Sequence, residues 1–162
     1  MADIIYNPTD HKQGAVFSPC KKYRYALHRF WDTGPRVAFL GLNPSTATES
    51  VNDPTVTRCI SYAKRWGYSG MYMLNIFSYR ATDPKEMLAQ EDPIGPENDF
   101  YLKEIANKAA FRVACWGNHG EHLGRGEQVK RMIKDLHYLK MNNTGQPAHP
   151  LYLSQTLQPI PW

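Results

Sequence analysis

Three short apolar runs, each ending in polar residues, constrain the fold most strongly. Residues 37–40 read Val-Ala-Phe-Leu, and the turn-forming residues Gly-Leu-Asn-Pro-Ser follow at 41–45. Residues 71–74 are followed by Asn75, and residues 111–116 are followed by Gly-Asn-His. Short apolar runs bounded by turn residues are typical of buried strands. The sequence therefore predicts a sheet with polar side chains at the carboxyl ends of its strands, where ligands bind in α/β proteins.

Helical patterns alternate with these strands. Asp53 and Pro54 match an N-cap and a first helical position, and apolar residues then recur at helical spacing as far as Gly67. Three further helices are predicted over 84–90, 97–110 and 127–139. Two further strands are predicted over 23–31 and 137–141. Strands that alternate with helices favour an α/β domain, here a three-layer αβα sandwich with a mainly parallel central sheet.

The ends of the chain are expected to be less regular. Residues 1–22 are polar and rich in turn formers, which predicts an irregular N-terminal arm. Strand 23–31 partly alternates rings with charges, so His28 and the neighbouring arginines are expected on a solvated face. The tail 159–162 is expected on the surface with Trp162 docked. A chain of 162 residues, 42% of them hydrophobic, is long enough for one core, so a single domain over 1–162 is expected.

Composition restricts the class of protein. Cys20, Cys59 and Cys115 are far apart and form no C-x-x-C pair, so neither a disulfide framework nor a metal site is predicted, and a reducing cytoplasm is expected. No apolar run approaches the about 20 residues of a membrane span, and no secretion signal is evident. The net charge of +4 permits contact with nucleic acid without requiring it.

Four motifs follow one another along the chain: Gly41-Leu42-Asn43-Pro44-Ser45, Met73-Leu74-Asn75, Cys115-Trp116-Gly117-Asn118-His119 and His149-Pro150-Leu151-Tyr152-Leu153. In this order they resemble the motifs of the uracil-DNA glycosylase superfamily. That superfamily carries G-Q-D-P-Y or G-I-N-P-G, then L-L-N, L-W-G-x-x-A and H-P-S-x-L. The likeness spans residues 37–153 and implies a glycosylase-like core there. A more literal match, including 53–55 and 66–68, is to a bacterial and phage family called domain of unknown function 1643.

The resemblance implies roles for the matched residues. Asn43 falls where the superfamily positions the attacking water, and an amide there can orient water but cannot act as a base. Asn75 falls where an asparagine reads the edge of a flipped pyrimidine. His149 falls where a histidine donates to the base oxygen as the leaving group gains charge. The other substrate-binding residues implied by these motifs are Gly41, Leu42, Pro44, Ser45, Trp116, Gly117 and Tyr152.

Residues after the second motif, and two departures from the superfamily pattern, complete the candidate site. Phe77 and Tyr79 beside Arg80 suit stacking on a base and binding a phosphate, or the rings plug the edge of the core. Leu151 stands where the superfamily usually has a serine that binds phosphate. The superfamily also has a ring that stacks on the base just after the first motif; no such ring follows the motif here, and Phe77 or Tyr79 is the candidate to replace it. The nearby histidines His119 and His122 are expected to be surface loop residues.

These features predict a hydrolase. The leading hypothesis is a DNA glycosylase-like enzyme of DNA repair or modification that flips a uracil-type or modified pyrimidine and hydrolyses its N-glycosidic bond without metal or cofactor. The first alternative is a non-catalytic module that binds a nucleotide or modified base. The second is a transferase or hydrolase on a nucleotide-like small molecule, whose phosphate is bound by Arg58, Arg80 or Arg125. The expected partner is DNA or a nucleotide, and no membrane.

Overall fold

The computed structural model describes residues 12–162, so the first half of the predicted arm lies outside the described residues. Seven strands form one sheet in this part of the chain: β1 (Gln13–Phe17), β2 (Arg24–Phe30), β3 (Arg36–Gly41), β4 (Gly70–Asn75), β5 (Phe111–Ala114), β6 (Leu136–Tyr138) and β7 (Ile160–Pro161). The α-helices of the same range are α1 (Pro54–Arg65), α2 (Pro84–Leu88), α3 (Asn98–Lys108) and α4 (Arg125–Met132). The predicted mixture of helices and strands is confirmed.

The sheet is mixed, with the strand order β1-β2-β4-β3-β5-β6-β7. The pairings of β3 with β4, β3 with β5 and β5 with β6 are parallel. The pairings of β1 with β2, β2 with β4 and β6 with β7 are antiparallel. The prediction of a mainly parallel sheet therefore holds only for the four central strands. The link between β1 and β2 is short, whereas a parallel pair needs a crossover of a dozen or more residues.

Helices cover both faces of the sheet, and strand β3 is buried between them. Val37 and Phe39 belong to a core cluster that includes residues of α1. Ala38 and Leu40 belong to a second cluster that includes residues of α2, α3 and α4. Successive strand side chains point to opposite faces, so a continuous apolar run fits a strand covered on both sides. Within residues 12–162, no helix has the length and apolar character needed to cross a membrane.

Strand β2 is fully buried, which corrects the prediction of a solvated face. The exposed fractions of Arg24, His28 and Arg29 are only 2%, 1% and 6%. The loop that follows β3 accounts for this burial, because the two guanidinium groups donate hydrogen bonds to it. Arg24 donates to the carbonyl of Ala47 (3.1 Å), and Arg29 donates to the carbonyl of Thr48 (2.6 Å). The charges on this strand satisfy loop carbonyls rather than face water.

Two boundaries, those of the arm and of α4, also differ from the predictions, whereas Trp162 in the tail docks as predicted. Strand β1 forms within the predicted irregular arm. Helix α4 ends at Met132 instead of continuing to 139, because Ile133 already has an extended backbone conformation (φ −113°, ψ 122°). Asp135 then adopts a left-handed conformation (φ 57°), and Leu136 belongs to β6. The tail contains β7, and its Trp162 ring packs 5.7 Å from the ring of Trp116.

Candidate functional site

The carboxyl ends of β3 and β4 border a cleft of about 500 Å³ and a smaller inner cavity of about 30 Å³. The cleft has the size of a small-molecule site, and the inner cavity has room for about two water molecules. The lining of the cleft includes the exposed residue Tyr152, and the lining of the inner cavity includes Arg24, Gly41 and Asn75. Six residues line both spaces: Leu42, Asn43, Ser45, Asp53, Thr55 and His149.

The two spaces bring together only some of the predicted site residues. The predicted residues that line at least one of them are Gly41, Leu42, Asn43, Ser45, Asn75, His149 and Tyr152. The predicted residues that line neither are Pro44, Phe77, Tyr79, Arg80, Trp116 and Gly117. Both candidate catalytic residues are in the first group, although more than 100 positions separate them in the sequence.

The parallel pairing of β3 with β4 sets the first two motifs side by side. Gly41 pairs with Asn75, and beyond the strands the Ile76 N–H donates to the Gly41 carbonyl (2.9 Å). A Cβ atom on Gly41 would lie 2.7 Å from Met73 Cε and 3.2 Å from Asn75 Nδ2. Glycine at this position therefore leaves room for the Asn75 amide beside the strand.

Two buried side chains fix the position of Asn75. Arg24 Nη2 donates to Asn75 Oδ1 (3.1 Å), and Asn98 Nδ2 donates to the Asn75 carbonyl (2.9 Å). A guanidinium group has donors only, so the amide oxygen must face Arg24. Asn75 Nδ2 then has no hydrogen-bond acceptor among the residues that the structure describes. Asn75 therefore offers an N–H donor to the inner cavity.

The Asn43 amide has the opposite orientation. Its Nδ2 donates to the carbonyls of Ala81 (2.9 Å) and Pro44 (3.1 Å). These bonds leave Oδ1 as the group that can accept a hydrogen bond from a ligand or a water molecule. Asn43 is half-buried in the cleft, so it offers an acceptor there.

His149 offers a donor, because its other ring nitrogen is already an acceptor. The Leu151 N–H donates to His149 Nδ1 (3.3 Å), so the proton of the neutral ring lies on Nε2. Burial lowers the pKa of His149 below its ordinary value of 6.5, and the nearby Asp53 carboxylate opposes that shift only partly. At neutral pH the ring is therefore uncharged and carries an Nε2–H donor.

The lowered pKa of His149 predicts a pH dependence of stability. The unfolded chain binds a proton at this residue near pH 6.5, whereas the folded protein resists protonation until the pH is lower. The free energy of unfolding should therefore fall as the pH drops below 6.5, and this loss should end below the native pKa. Urea unfolding between pH 7.5 and pH 4.5 would measure it. His149→Gln should remove this component, and an unchanged pH profile in that variant would contradict the shift.

Helix α1 holds the segment that carries His149. Arg58 donates through Nη1 to the Leu153 carbonyl (3.2 Å) and through Nη2 to the Leu151 carbonyl (3.3 Å). Tyr62 Oη donates to the Ser154 carbonyl (2.7 Å). The candidate phosphate-binding residue Arg58 thus binds backbone in this structure and does not line the cleft.

Arg58→Gln should loosen residues 149–154 without unfolding the protein. Two charge-assisted hydrogen bonds are lost, and each contributes about 1.5–3 kcal/mol at most. Hydrogen exchange of the 151–154 amides should accelerate at least about tenfold for a loss of 1.4 kcal/mol. Arg65→Gln is the matched control, since Arg65 is exposed on the same helix. Equal exchange rates in both variants would contradict the anchoring role.

The remaining candidates have structural contacts away from the cleft. Phe77 is fully buried and packs near the half-buried ring of His122, whereas His119 is exposed. Tyr79 packs edge-on against Tyr23.

The two other candidate phosphate-binding arginines are also engaged elsewhere. Arg80 donates to the Lys21 carbonyl (3.0 Å) and lies 4.6 Å from the centre of the Phe17 ring. Arg125 is completely buried and pairs with the Asp99 carboxylate at 2.6 Å. Neither arginine lines the cleft or the inner cavity.

The third motif packs against His149 and the residues that precede it. Trp116 is fully buried, and its Nε1–H donates to Gln146 Oε1 (2.8 Å). Gly117 adopts a positive φ of 79°, and its N–H donates to the Pro147 carbonyl (2.8 Å). A Cβ atom on Gly117 would lie 3.6 Å from His149 Cβ. This motif therefore positions the histidine and does not itself line the cleft.

Sequence reasoning missed two charged residues of the site. Arg24 was expected on a solvated strand face, yet it lines the inner cavity, and its Nε has no partner among the described residues. Asp53 was predicted only as a helix N-cap, yet it lines both spaces. The only signal for Arg24 was a charged residue within a strand rich in aromatic rings, and Arg29 of the same strand shares that signal. Asp53 gave no signal beyond its capping position.

The fold and site define an α/β protein with a polar cleft at the carboxyl ends of parallel strands. Residues 24–151 match the family described as "Protein of unknown function (DUF1643)", and the chain belongs to that family. Neither the curated proteins nor the solved structures include a match to the chain. Among residues 12–162, no group of three or more His, Cys, Asp or Glu side chains is arranged to hold a metal ion.

Proposed function

We propose that this protein is a DNA glycosylase-like hydrolase that binds a flipped uracil-type or modified pyrimidine nucleotide and hydrolyses its N-glycosidic bond. One observation carries the proposal: Asn43, Asn75 and His149 come from three distant motifs and all line the inner cavity, and Asn43 and His149 also line the adjoining cleft. Parallel central strands with helices on both faces support a uracil-DNA glycosylase-like core.

The hydrogen-bond donors of the cleft and the inner cavity together favour a base that carries carbonyl oxygens. Asn75 Nδ2 and His149 Nε2 are donors, because Arg24 and the Leu151 N–H occupy the other atom of each group. A uracil-type ring presents two carbonyl acceptors, whereas cytosine presents an amino donor in place of one of them. A donor facing that amino group would remain unpaired, which costs about 1–3 kcal/mol.

The same groups suit the departure of a base anion. The neutral His149 ring can donate Nε2–H to a base oxygen as negative charge builds on it. Asn43 Oδ1 can orient water in the cleft. Tyr152 is 92% exposed at the rim, where a ring can stack on a base. The free thiols of Cys20, Cys59 and Cys115 are consistent with a cytoplasmic location, which we also propose.

An abasic-site assay tests this function. Single-stranded and duplex oligonucleotides would carry uracil, a hydroxymethylated pyrimidine or a glycosylated pyrimidine, and heating in alkali would reveal each base that has been removed. We expect cleavage of at least one of these substrates by the wild-type protein and its loss in His149→Gln. No product from any substrate, with the protein in excess, would overturn the hydrolytic proposal.

A non-catalytic base-binding module is the second candidate. The observation that favours it is Asn43, whose amide can act neither as acid nor as base and whose nitrogen is held by two carbonyls. Leu151 also lines the cleft in place of a serine that would grip phosphate. In that case calorimetry should show binding of a pyrimidine nucleotide that Asn75→Ala abolishes, while the assay above shows no product.

A further inference from the structure

We propose that Asp53 is the catalytic carboxylate of this site: it binds the attacking water and stabilises the positive charge that develops on the sugar. This inference rests on the proposed hydrolysis and deepens it, because none of the four motifs supplies a carboxylate to the cleft. It assigns to Asp53 the task that the amide of Asn43 cannot perform.

The position of Asp53 carries the inference. Its exposed fraction is 7%, and it is among the residues that line both the cleft and the inner cavity. Asn43 and His149 line the same two spaces. Asp53 is thus a buried carboxylate at the junction between a ligand-sized cleft and a cavity with room for about two waters.

The hydrogen bonds of Asp53 hold the carboxylate in place and leave some of its acceptor positions unused. Oδ1 accepts the Val56 N–H (2.9 Å) and Oδ2 accepts the Ala47 N–H (3.2 Å). A carboxylate has about four acceptor positions, so two remain for water or a ligand hydroxyl. The bonds fix the orientation of the group in advance, which is what a catalytic residue requires.

Capping alone does not explain an aspartate in this position. Serine, threonine and asparagine cap helices about as well. The chain also provides a comparison, because Asp83 caps α2 in the same Asp-Pro sequence and accepts the Lys85 N–H (2.9 Å). Asp83 is exposed and lines neither space. The two aspartates share a capping role, and only Asp53 adds a charge to the cleft.

The charge of Asp53 acts on both neighbouring basic groups. Burial lowers the pKa of Arg24 to about 10, and the Asp53 carboxylate opposes this shift, as it opposes the shift at His149. Arg24 remains a cation at neutral pH and also lines the inner cavity. The lining of the cleft therefore contains both a carboxylate, Asp53, and a neutral N–H donor, His149.

The reaction balances with water as the only co-reactant. As the C1′–N bond breaks, its electron pair passes to the base, where the His149 N–H stabilises the anion. The carboxylate stabilises the oxocarbenium-like sugar, as carboxylates do in glycoside hydrolysis. Water bound to Asp53 forms the new C1′–O bond, and its proton passes to the carboxylate and then to solvent. The base anion takes a proton from solvent, which yields the free base and the abasic sugar.

The test compares Asp53→Asn with Asp83→Asn in the full-length protein. Single-turnover removal of the base that wild-type protein cleaves best should slow at least about 100-fold in Asp53→Asn. It should change less than about threefold in Asp83→Asn, because both asparagines keep an N-cap. Binding of the same oligonucleotide should be retained within about threefold in both variants. A rate for Asp53→Asn within threefold of wild type would overturn the inference and leave the proposed hydrolysis intact.

A second variant covers the case in which Asp53→Asn fails to fold, because its amide nitrogen would face the Ala47 N–H. Asp53→Gly costs an N-cap only a few tenths of a kcal/mol, and it leaves space for a small carboxylate. Added formate should raise the single-turnover rate of Asp53→Gly at least tenfold and should leave the rate of Asp83→Gly unchanged. Slow cleavage without rescue would overturn the catalytic role. If wild-type protein removes no base at all, the proposed hydrolysis and this inference both fail.

Discussion

Replacing Asn75, in the lining of the inner cavity, with aspartate should reverse the base preference of the site. The change puts a carboxylate oxygen where Nδ2 now offers a donor, while the other oxygen keeps the hydrogen bond from Arg24. A carbonyl of a uracil-type base would then face an acceptor, whereas the amino group of cytosine would find one. Each mismatch costs about 1–3 kcal/mol, so the ratio of the two affinities should change by about 100-fold.

Calorimetric titration with deoxyuridine and deoxycytidine monophosphates would measure this ratio. The buried Arg24 cation lies next to the new carboxylate, so the variant should remain folded at neutral pH. Asn142→Asp is a suitable control, because Asn142 lies outside both spaces and pairs with Asn118. An unchanged ratio in Asn75→Asp would show that Asn75 does not contact the base.

Arg24→Met should destabilise the fold and also weaken ligand binding. The change removes the hydrogen bonds that Arg24 donates to the Ala47 carbonyl and to Asn75 Oδ1. Leaving a buried acceptor unpaired costs about 1–3 kcal/mol, so we expect a total loss of about 3 kcal/mol in urea unfolding. The Asn75 amide would also lose the contact that fixes its orientation, and pyrimidine nucleotide affinity should fall at least about tenfold.

Arg29→Met separates these two effects. Arg29 is buried on the same strand and also binds the loop after β3, through the Thr48 carbonyl and the side chain of Asn52. It lines neither the cleft nor the inner cavity. This variant should lose comparable stability and keep its nucleotide affinity. Equal losses of affinity in the two variants would mean that loop stability, and not the orientation of Asn75, controls binding.

The central part of the fold could be predicted because its signals are local. The apolar runs at 37–40 and 71–74 lie within β3 and β4, and the Asp53-Pro54 start of α1 is where the N-cap pattern predicts it. Parallel strands bring their carboxyl ends to one edge of a sheet. The meeting of Asn43 and Asn75 follows directly from that geometry.

The parts that were not predicted depend on long-range contacts. The burial of Arg24 and Arg29 requires the loop after β3 to fold over β2, and nothing within 23–31 encodes that loop. The apolar spacing of Val129 and Leu136 fits a helix, yet a turn at Asp135 assigns Leu136 to β6. Tertiary packing decided both outcomes against the local pattern.

The separation of Trp116 and Gly117 from the cleft has a similar cause. Their motif follows a strand, like the two motifs before it, but its backbone turns to pair with the segment before His149. The motif therefore acts through the histidine. A pattern of strand ends alone could not distinguish a residue that lines a cleft from one that supports its neighbour.

A titration of the protein with deoxyuridine monophosphate, followed by side-chain NMR, tests the central claim most directly. We expect the side-chain amide signals of Asn75 and Asn43 and the ring signals of His149 to shift together with one dissociation constant. The Nδ2 protons of Asn142, which donates to Asn118 Oδ1 away from both spaces, should shift least. Shifts confined to other surfaces, or none at millimolar nucleotide, would contradict a base-binding cleft at the ends of β3 and β4.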